Sequence, residues 1–94
     1  MYIIVLGDKG SYDRPINLTV MKEKYNTLEE ASEGLKKLCP IGTEKAIKNQ
    51  KMQYEDEYGT TYWFGYTNGL VTYFSSGCPA DNEYDGETIQ VFRV

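Results

Sequence analysis

The chain contains no histidine, and this absence limits the chemistry available to its other reactive side chains. Histidine is the commonest general base, the usual partner of a serine or cysteine nucleophile and the commonest metal ligand. Two cysteines without histidine do not complete a four-ligand structural zinc site. Carboxylates remain as acid–base candidates, but their spacing identifies no catalytic pair. We therefore expect a protein that is not an enzyme and that holds no cofactor.

The two cysteines, Cys39 and Cys78, are each followed directly by proline. Secreted domains of this length usually carry several disulfide bonds, and no signal-peptide pattern of charged region, apolar region and cleavage site is expected at the N-terminus. The apolar run over residues 1–6 is too short to span a bilayer. These observations favour a cytoplasmic protein with reduced thiols. A single Cys39–Cys78 disulfide bond is the alternative.

Acidic side chains form two clusters, one at 55–57 and one over 81–87. Asp81 to Gly86 is similar to the start of an EF-hand calcium loop, but the twelfth position is Phe92 where calcium requires a bidentate glutamate. The second cluster is therefore interpreted as a solvated acidic loop, and no metal site is expected.

Charge is unevenly distributed along the chain, whose net charge is −4. Residues 22–51 carry seven lysines against five glutamates, whereas residues 52–94 carry seven acidic residues against Arg93 alone. This distribution disfavours direct binding to nucleic acid phosphates and favours a basic protein partner.

Aromatic residues make up 14% of the chain, and several lie in a predicted β-hairpin. Strands are predicted at 61–66 and 70–74, because Asn68-Gly69 between them is typical of a tight hairpin turn. A regular hairpin places Tyr66 opposite Val71, Phe64 opposite Tyr73 and Tyr62 opposite Ser75. One predicted face then carries Tyr62, Phe64, Tyr66, Val71 and Tyr73, and the other carries Trp63, Gly65, Leu70, Thr72 and Phe74.

One helix is predicted over 28–38, where Thr27 and Glu30 form a capping box and Leu28, Ala31, Leu35 and Leu38 recur at helical spacing. Further strands are predicted at 2–6, at 16–21 (paired with the first) and at 88–94, with loops at 7–17 and 75–87. The segment 43–53 fits a short helix with Ala46, Ile47 and Gln50 facing inward, or an edge strand; the helix is favoured.

These elements predict a single α+β domain over residues 1–94. The sheet is expected to be small and mostly antiparallel, with about four to five strands and one main helix packed on one face. Because one helix covers one face, the other face is left for the two loops, for a second copy of the chain or for a binding partner.

The acidic clusters at 55–57 and 81–87 around an aromatic hairpin resemble, in general character, small phage-encoded inhibitor proteins, including anti-CRISPR proteins. The resemblance extends over the whole chain but includes no diagnostic motif, so it assigns no residue roles. It implies stoichiometric inhibition of a host defence or nucleic-acid enzyme in the host cytoplasm.

The expected function is binding to a basic, nucleic-acid-binding protein surface, as an inhibitor or adaptor that imitates phosphates with carboxylates and bases with tyrosine rings. The expected partner-binding residues are Glu55, Asp56, Glu57, Tyr58, Tyr62, Tyr66, Asp81, Glu83, Tyr84, Asp85 and Glu87. Two alternatives stay open: a homodimeric structural or regulatory domain that pairs through the aromatic hairpin face, and a small-ligand-binding domain with that face as a pocket wall.

Overall fold

The structure, a computed structural model, describes residues 1–9, 17–77 and 86–94. In this part of the chain, six strands form one antiparallel sheet in the order β2-β1-β6-β5-β4-β3. The strands are β1 (Tyr2–Lys9), β2 (Asn17–Val20), β3 (Gln53–Glu55), β4 (Thr61–Thr67), β5 (Leu70–Gly77) and β6 (Gly86–Arg93). The α+β class is confirmed, and the sheet has one strand more than the upper end of the prediction because 53–55 pairs as an edge strand.

The centre of the sheet is built from the two ends of the chain. β1 pairs with β6 along its whole length, from Tyr2 opposite Arg93 to Lys9 opposite Gly86, and β2 pairs with the other edge of β1 as predicted. Pairing on both edges extends β1 through Gly7 and Asp8, which were predicted to lie in a loop. Tertiary pairing overrides weak local strand propensity at these positions.

Helix α1 (Leu28–Leu38) has the predicted bounds. The Thr27 hydroxyl accepts a hydrogen bond from the Glu30 backbone N–H at 3.2 Å, and the Glu30 carboxylate accepts one from the Asn26 N–H at 3.3 Å. These bonds satisfy N–H groups that have no partner within the helix. The inward stripe of α1 packs on one face of the sheet, called here the helix face.

The segment 43–53 contains both of the structures considered for it. Helix α2 (Glu44–Lys48) comes first, with Ala46 and Ile47 buried as predicted, and edge strand β3 follows. The inward position predicted for Gln50 is wrong. Gln50 is exposed and has a φ of 51°, because it is the left-handed residue of a Schellman motif in which Lys51 N–H donates to the Ala46 carbonyl.

The hairpin of β4 and β5 turns at Asn68 and Gly69, both with positive φ, as predicted. Its register changes after the pair Tyr66–Val71, because Gly65 lies opposite Tyr73 and Thr72 becomes an extra residue on β5. This β-bulge shifts the rest of β5 by one residue.

A shift of one residue exchanges the two faces of a strand. Phe64 therefore lies opposite Phe74, and Tyr62 lies opposite Ser76. The predicted pairs Phe64–Tyr73 and Tyr62–Ser75 are wrong, and so are the faces predicted for Tyr73 and Phe74. Phe74 is fully buried on the helix face.

The core lies between the helices and the helix face. Its buried members are Ile4, Leu35, Ala46, Ile47, Phe64, Val71, Phe74 and Ile89. The opposite surface of the sheet, called here the second face, carries Ile3, Val5 and Phe92 by strand alternation. On this face, the side chains of Thr61 and Ser75 are buried, whereas the residues of β2 are exposed.

Candidate protein-binding surface

The antiparallel order brings one end of every strand to the same edge of the molecule. β1, β3 and β5 end there, and β2, β4 and β6 begin there. The described acidic residues at this edge, named here the acidic end, are Asp8, Glu55, Asp56, Glu57 and Glu87. With neighbouring strands about 4.8 Å apart, β3 lies about 14 Å from β6 and about 19 Å from β1. The carboxylates therefore form a row across the sheet instead of a compact cluster.

Asp56 organises the turn that joins β3 to β4. One carboxylate oxygen accepts hydrogen bonds from the backbone N–H groups of Tyr58 and Thr60, each at 2.9 Å. The other accepts the hydroxyl of Tyr62 at 3.0 Å. Gly59 has a φ of 83°, which favours glycine at this point of the turn. Both carboxylate oxygens of Asp56 are therefore engaged inside the protein. This arrangement fits a residue that positions the turn better than the predicted residue that contacts a partner directly.

Three side chains in or beside this turn are exposed. Tyr58 is 82% exposed, and Glu55 and Glu57 on either side of Asp56 are also exposed. A large exposed aromatic side chain next to exposed carboxylates, on a backbone fixed by hydrogen bonds, is presented at low entropic cost to a partner.

Tyr62 lies beneath this turn and is half-buried. Its ring stacks on Tyr54 with a centroid distance of 6.0 Å and on Phe74 with one of 5.7 Å. Burial, followed by the hydrogen bond to Asp56, raises the pKa of the Tyr62 hydroxyl above its usual value. Tyr62 supports the turn through this hydrogen bond, so it helps to position the exposed residues instead of being one of them.

Tyr66 is not brought to the acidic end. It lies two residues before the Asn68-Gly69 turn, at the opposite end of the hairpin, and its hydroxyl donates to the Lys51 carbonyl at 3.1 Å. Burial raises the pKa of this hydroxyl, with a smaller effect from Cys39. The structure thus separates Tyr66 from the other predicted partner-binding residues.

The second acidic cluster is described only at Glu87. Asp81, Glu83, Tyr84 and Asp85 lie outside the described residues, as does the calcium-like loop that they belong to. Gly77 and Gly86, which bound the 78–85 segment, both lie at the acidic end, as the sequence predicted. Glu87 is exposed and pairs across the sheet with Asp8, a residue that the sequence analysis did not include. Like charges in directly opposite positions repel, and a basic partner relieves that repulsion.

The described residues offer little for covalent or metal chemistry. Cys39 is a free thiol that donates to the Leu35 carbonyl at 3.5 Å, and burial, with a smaller effect from Glu44, raises its pKa to about 11. It is therefore protonated at neutral pH, and a protonated thiol is a poor nucleophile. Within residues 1–9, 17–77 and 86–94, no three Cys, Asp or Glu residues are grouped to hold a metal ion.

Three cavities are lined by described residues, and none of these three is lined by the hairpin aromatics. They lie between α1 and the chain after β2, at the β1–β2–β6 end of the sheet, and beside α2. The hypothesis of a ligand pocket walled by the hairpin therefore gains no support from them.

The fold and this surface define an α+β protein with a six-stranded antiparallel sheet, helices on one face and a rigid, outward-facing acidic turn at one end. No protein-family model, no curated protein and no solved structure matches the chain. In the described part of the chain, neither helix has the length and apolar character of a membrane span.

Proposed function

We propose that this protein is a non-enzymatic binding protein that docks its acidic end on a basic surface of another protein, as a stoichiometric inhibitor or adaptor. The observation that carries the proposal is the 56–60 turn, in which the Asp56 carboxylate fixes the backbone and the neighbouring side chains of Glu55, Glu57 and Tyr58 are all exposed. Preorganised charges and an aromatic anchor are the usual components of a tight protein interface.

The row of carboxylates suits a partner surface that otherwise binds nucleic acid. Such surfaces carry Lys and Arg along a groove, together with aromatic platforms on which bases stack. Glu55, Glu57 and Glu87 supply negative charge along one edge, and the Tyr58 ring supplies an aromatic face. For the biological setting of this activity, we propose that the protein is encoded by a phage and counters host defence in the host cytoplasm.

The proposal is tested by affinity capture from the organism that encodes the protein, with quantitative mass spectrometry at about 50 mM and 300 mM salt. The bait variant Glu55→Gln/Glu57→Gln/Tyr58→Ser removes the projecting side chains and leaves Asp56 in place. We expect basic proteins captured by the wild type to be depleted at least tenfold with this variant, and to be released at the higher salt concentration.

The matched control is Glu44→Lys, which changes the net charge by the same two units at an exposed position on α2. Capture that responds equally to both variants reflects net charge alone and contradicts the proposal. Capture that is insensitive to salt contradicts its electrostatic part.

A second candidate function, a homodimeric structural or regulatory domain, is favoured by apolar residues on the second face. Leu18 is 70% exposed and Phe92 is 43% exposed, and both lie near Val20 around β1. This patch lies on β2 and β6 instead of on the hairpin face where the sequence placed the interface. Light scattering at millimolar concentration tests it: a dimer that Leu18→Ser dissociates supports this function, and a monomer contradicts it.

A further inference from the structure

A groove of about 680 Å³ runs along α1 on the side away from the acidic turn, and it shares no lining residue with the acidic end. One wall is α1, and the other is the chain segment 21–25 that leads from β2 to the helix. Its apolar lining is formed by Ile4, Met21, Tyr25 and Leu38. We call this feature the helix groove.

The shape of the helix groove follows from the packing of Tyr25. Backbone hydrogen bonds of 2.8 and 2.9 Å to Tyr2 fix Tyr25 to the edge of β1. Its ring crosses to α1 at Gly34, where a β-carbon would overlap the Tyr25 hydroxyl. The Tyr25 ring is therefore positioned by backbone hydrogen bonds to β1 and by close packing on α1, and it forms the floor of the groove.

The rim of the helix groove is strongly acidic. Four glutamates line it, against the single cation Lys37: Glu23, Glu29, Glu30 and Glu33. Met21, Glu23 and Tyr25 line the groove, whereas the intervening Lys22 and Lys24 are not among its lining residues.

We propose that the helix groove binds a basic amphipathic helix of a partner protein, with apolar side chains on the floor and Lys or Arg side chains against the glutamates. Glu29 and Glu33 are one helical turn apart, so they match cations spaced three or four residues apart on an opposing helix. The rim follows α1, an 11-residue helix about 16 Å long, which suits an elongated occupant better than a compact ligand. A second copy of this chain, with net charge −4, has the wrong sign for the rim.

The first experiment uses a fluorescein-labelled synthetic 18-residue peptide with Leu at every third or fourth position and Lys elsewhere. Fluorescence anisotropy compares it with one peptide that has Ser for Leu and another that has Glu for Lys. We expect each comparison peptide to bind at least tenfold more weakly, because one lacks the apolar contacts and the other reverses the charge. Equal binding of all three peptides, or no binding of the first, overturns the proposal.

Two pairs of variants then locate the binding. Leu38→Ser, which alters the groove, is compared with Ile41→Ser, which alters a side chain that is 97% exposed and outside the groove. Glu29→Gln/Glu33→Gln is compared with Glu44→Lys, which changes the net charge equally at an exposed position on α2 outside the groove. We expect the groove variant of each pair to weaken peptide binding about three- to tenfold, and its control to stay within about twofold.

Circular dichroism melts confirm that each variant is folded, and ¹H–¹⁵N spectra report where the peptide binds. Shifts concentrated at 21–25 and along α1 support the proposal, whereas shifts concentrated at 53–60 overturn it. Glu44→Lys serves as the control in both experiments, and the groove variants and the acidic-end variant change different residues. If the groove proposal is wrong, the groove variants leave peptide binding unchanged; if the proposed function is wrong, the acidic-end variant leaves capture unchanged. The two failures are therefore distinguishable.

Discussion

Replacing Asp56 with alanine tests whether this residue holds the 56–60 turn in place. The substitution removes two hydrogen bonds to backbone N–H groups, each 2.9 Å long, and one of 3.0 Å from the Tyr62 hydroxyl. Hydrogen bonds to a charged acceptor contribute about 1.5–3 kcal/mol each when they are well shielded. Asp56 is partly exposed and the released N–H groups reach water, so we take about 1 kcal/mol for each backbone bond and rather less for the tyrosine.

The expected loss in the free energy of unfolding for Asp56→Ala is therefore about 2–3 kcal/mol. For a chain of this length, a loss of that size lowers the melting temperature by about 10–20 °C. Asp56→Asn keeps one carbonyl oxygen to accept from the backbone, so we expect it to lose about 1 kcal/mol or less. Urea denaturation monitored by circular dichroism measures both values.

The matched control is Glu57→Ala, at an adjacent exposed position where we expect a change within about 0.5 kcal/mol. A double-mutant cycle with Tyr62→Phe isolates the Asp56–Tyr62 hydrogen bond from the two backbone bonds. If Asp56→Ala costs no more than Glu57→Ala, the turn is not held by this carboxylate, and the structural basis for presenting Tyr58 is refuted.

Three further predictions follow from burial and register. Because burial and Asp56 raise the pKa of Tyr62, its contribution to stability is complete below the unfolded-state pKa near 10 and is lost as the pH rises through the higher folded-state pKa. Tyrosine ¹³C NMR titration checks this, and a folded-state pKa below 10 contradicts it. Cys39, with its pKa raised from 9.0 to about 11, should react with iodoacetamide about 100-fold more slowly in native than in unfolded protein, measured by peptide mass spectrometry; equal rates contradict its burial. Phe74→Ala should cost about 3–5 kcal/mol in urea denaturation, whereas the half-exposed Phe92→Ala should cost about 1 kcal/mol or less; the reverse order rules out the bulged register.

The sequence predicted those features that depend on neighbouring residues. Helix α1 was predicted with its bounds and cap, because Thr27 and Glu30 act on backbone groups within one turn. The Asn68-Gly69 turn was predicted because both positions tolerate positive φ. The presence of both acidic clusters near one end of the hairpin followed from that turn alone, and the structure confirms the placement of 55–57 and Glu87.

Features that depend on distant partners were decided by the tertiary structure. The bulge at Thr72 places Phe74 in the core, because Phe74 is paired with Phe64 on one side and Ile89 on the other. No local signal in 70–77 specifies such a shift. The helix groove was missed for the same reason, since it needs Tyr25 to meet Gly34 across the gap between sheet and helix.

The candidate surface shows the same division. Composition alone established that acidic and aromatic residues concentrate in the second half of the chain and that this sequence contains no histidine. Which of these side chains face a partner was decided by three-dimensional contacts: Asp56 and Tyr62 bond to each other, Tyr66 bonds to Lys51 at the far end, and Tyr58 projects. Residue type sets what a side chain can bind, but only the folded chain determines whether its polar atoms are already engaged within the protein.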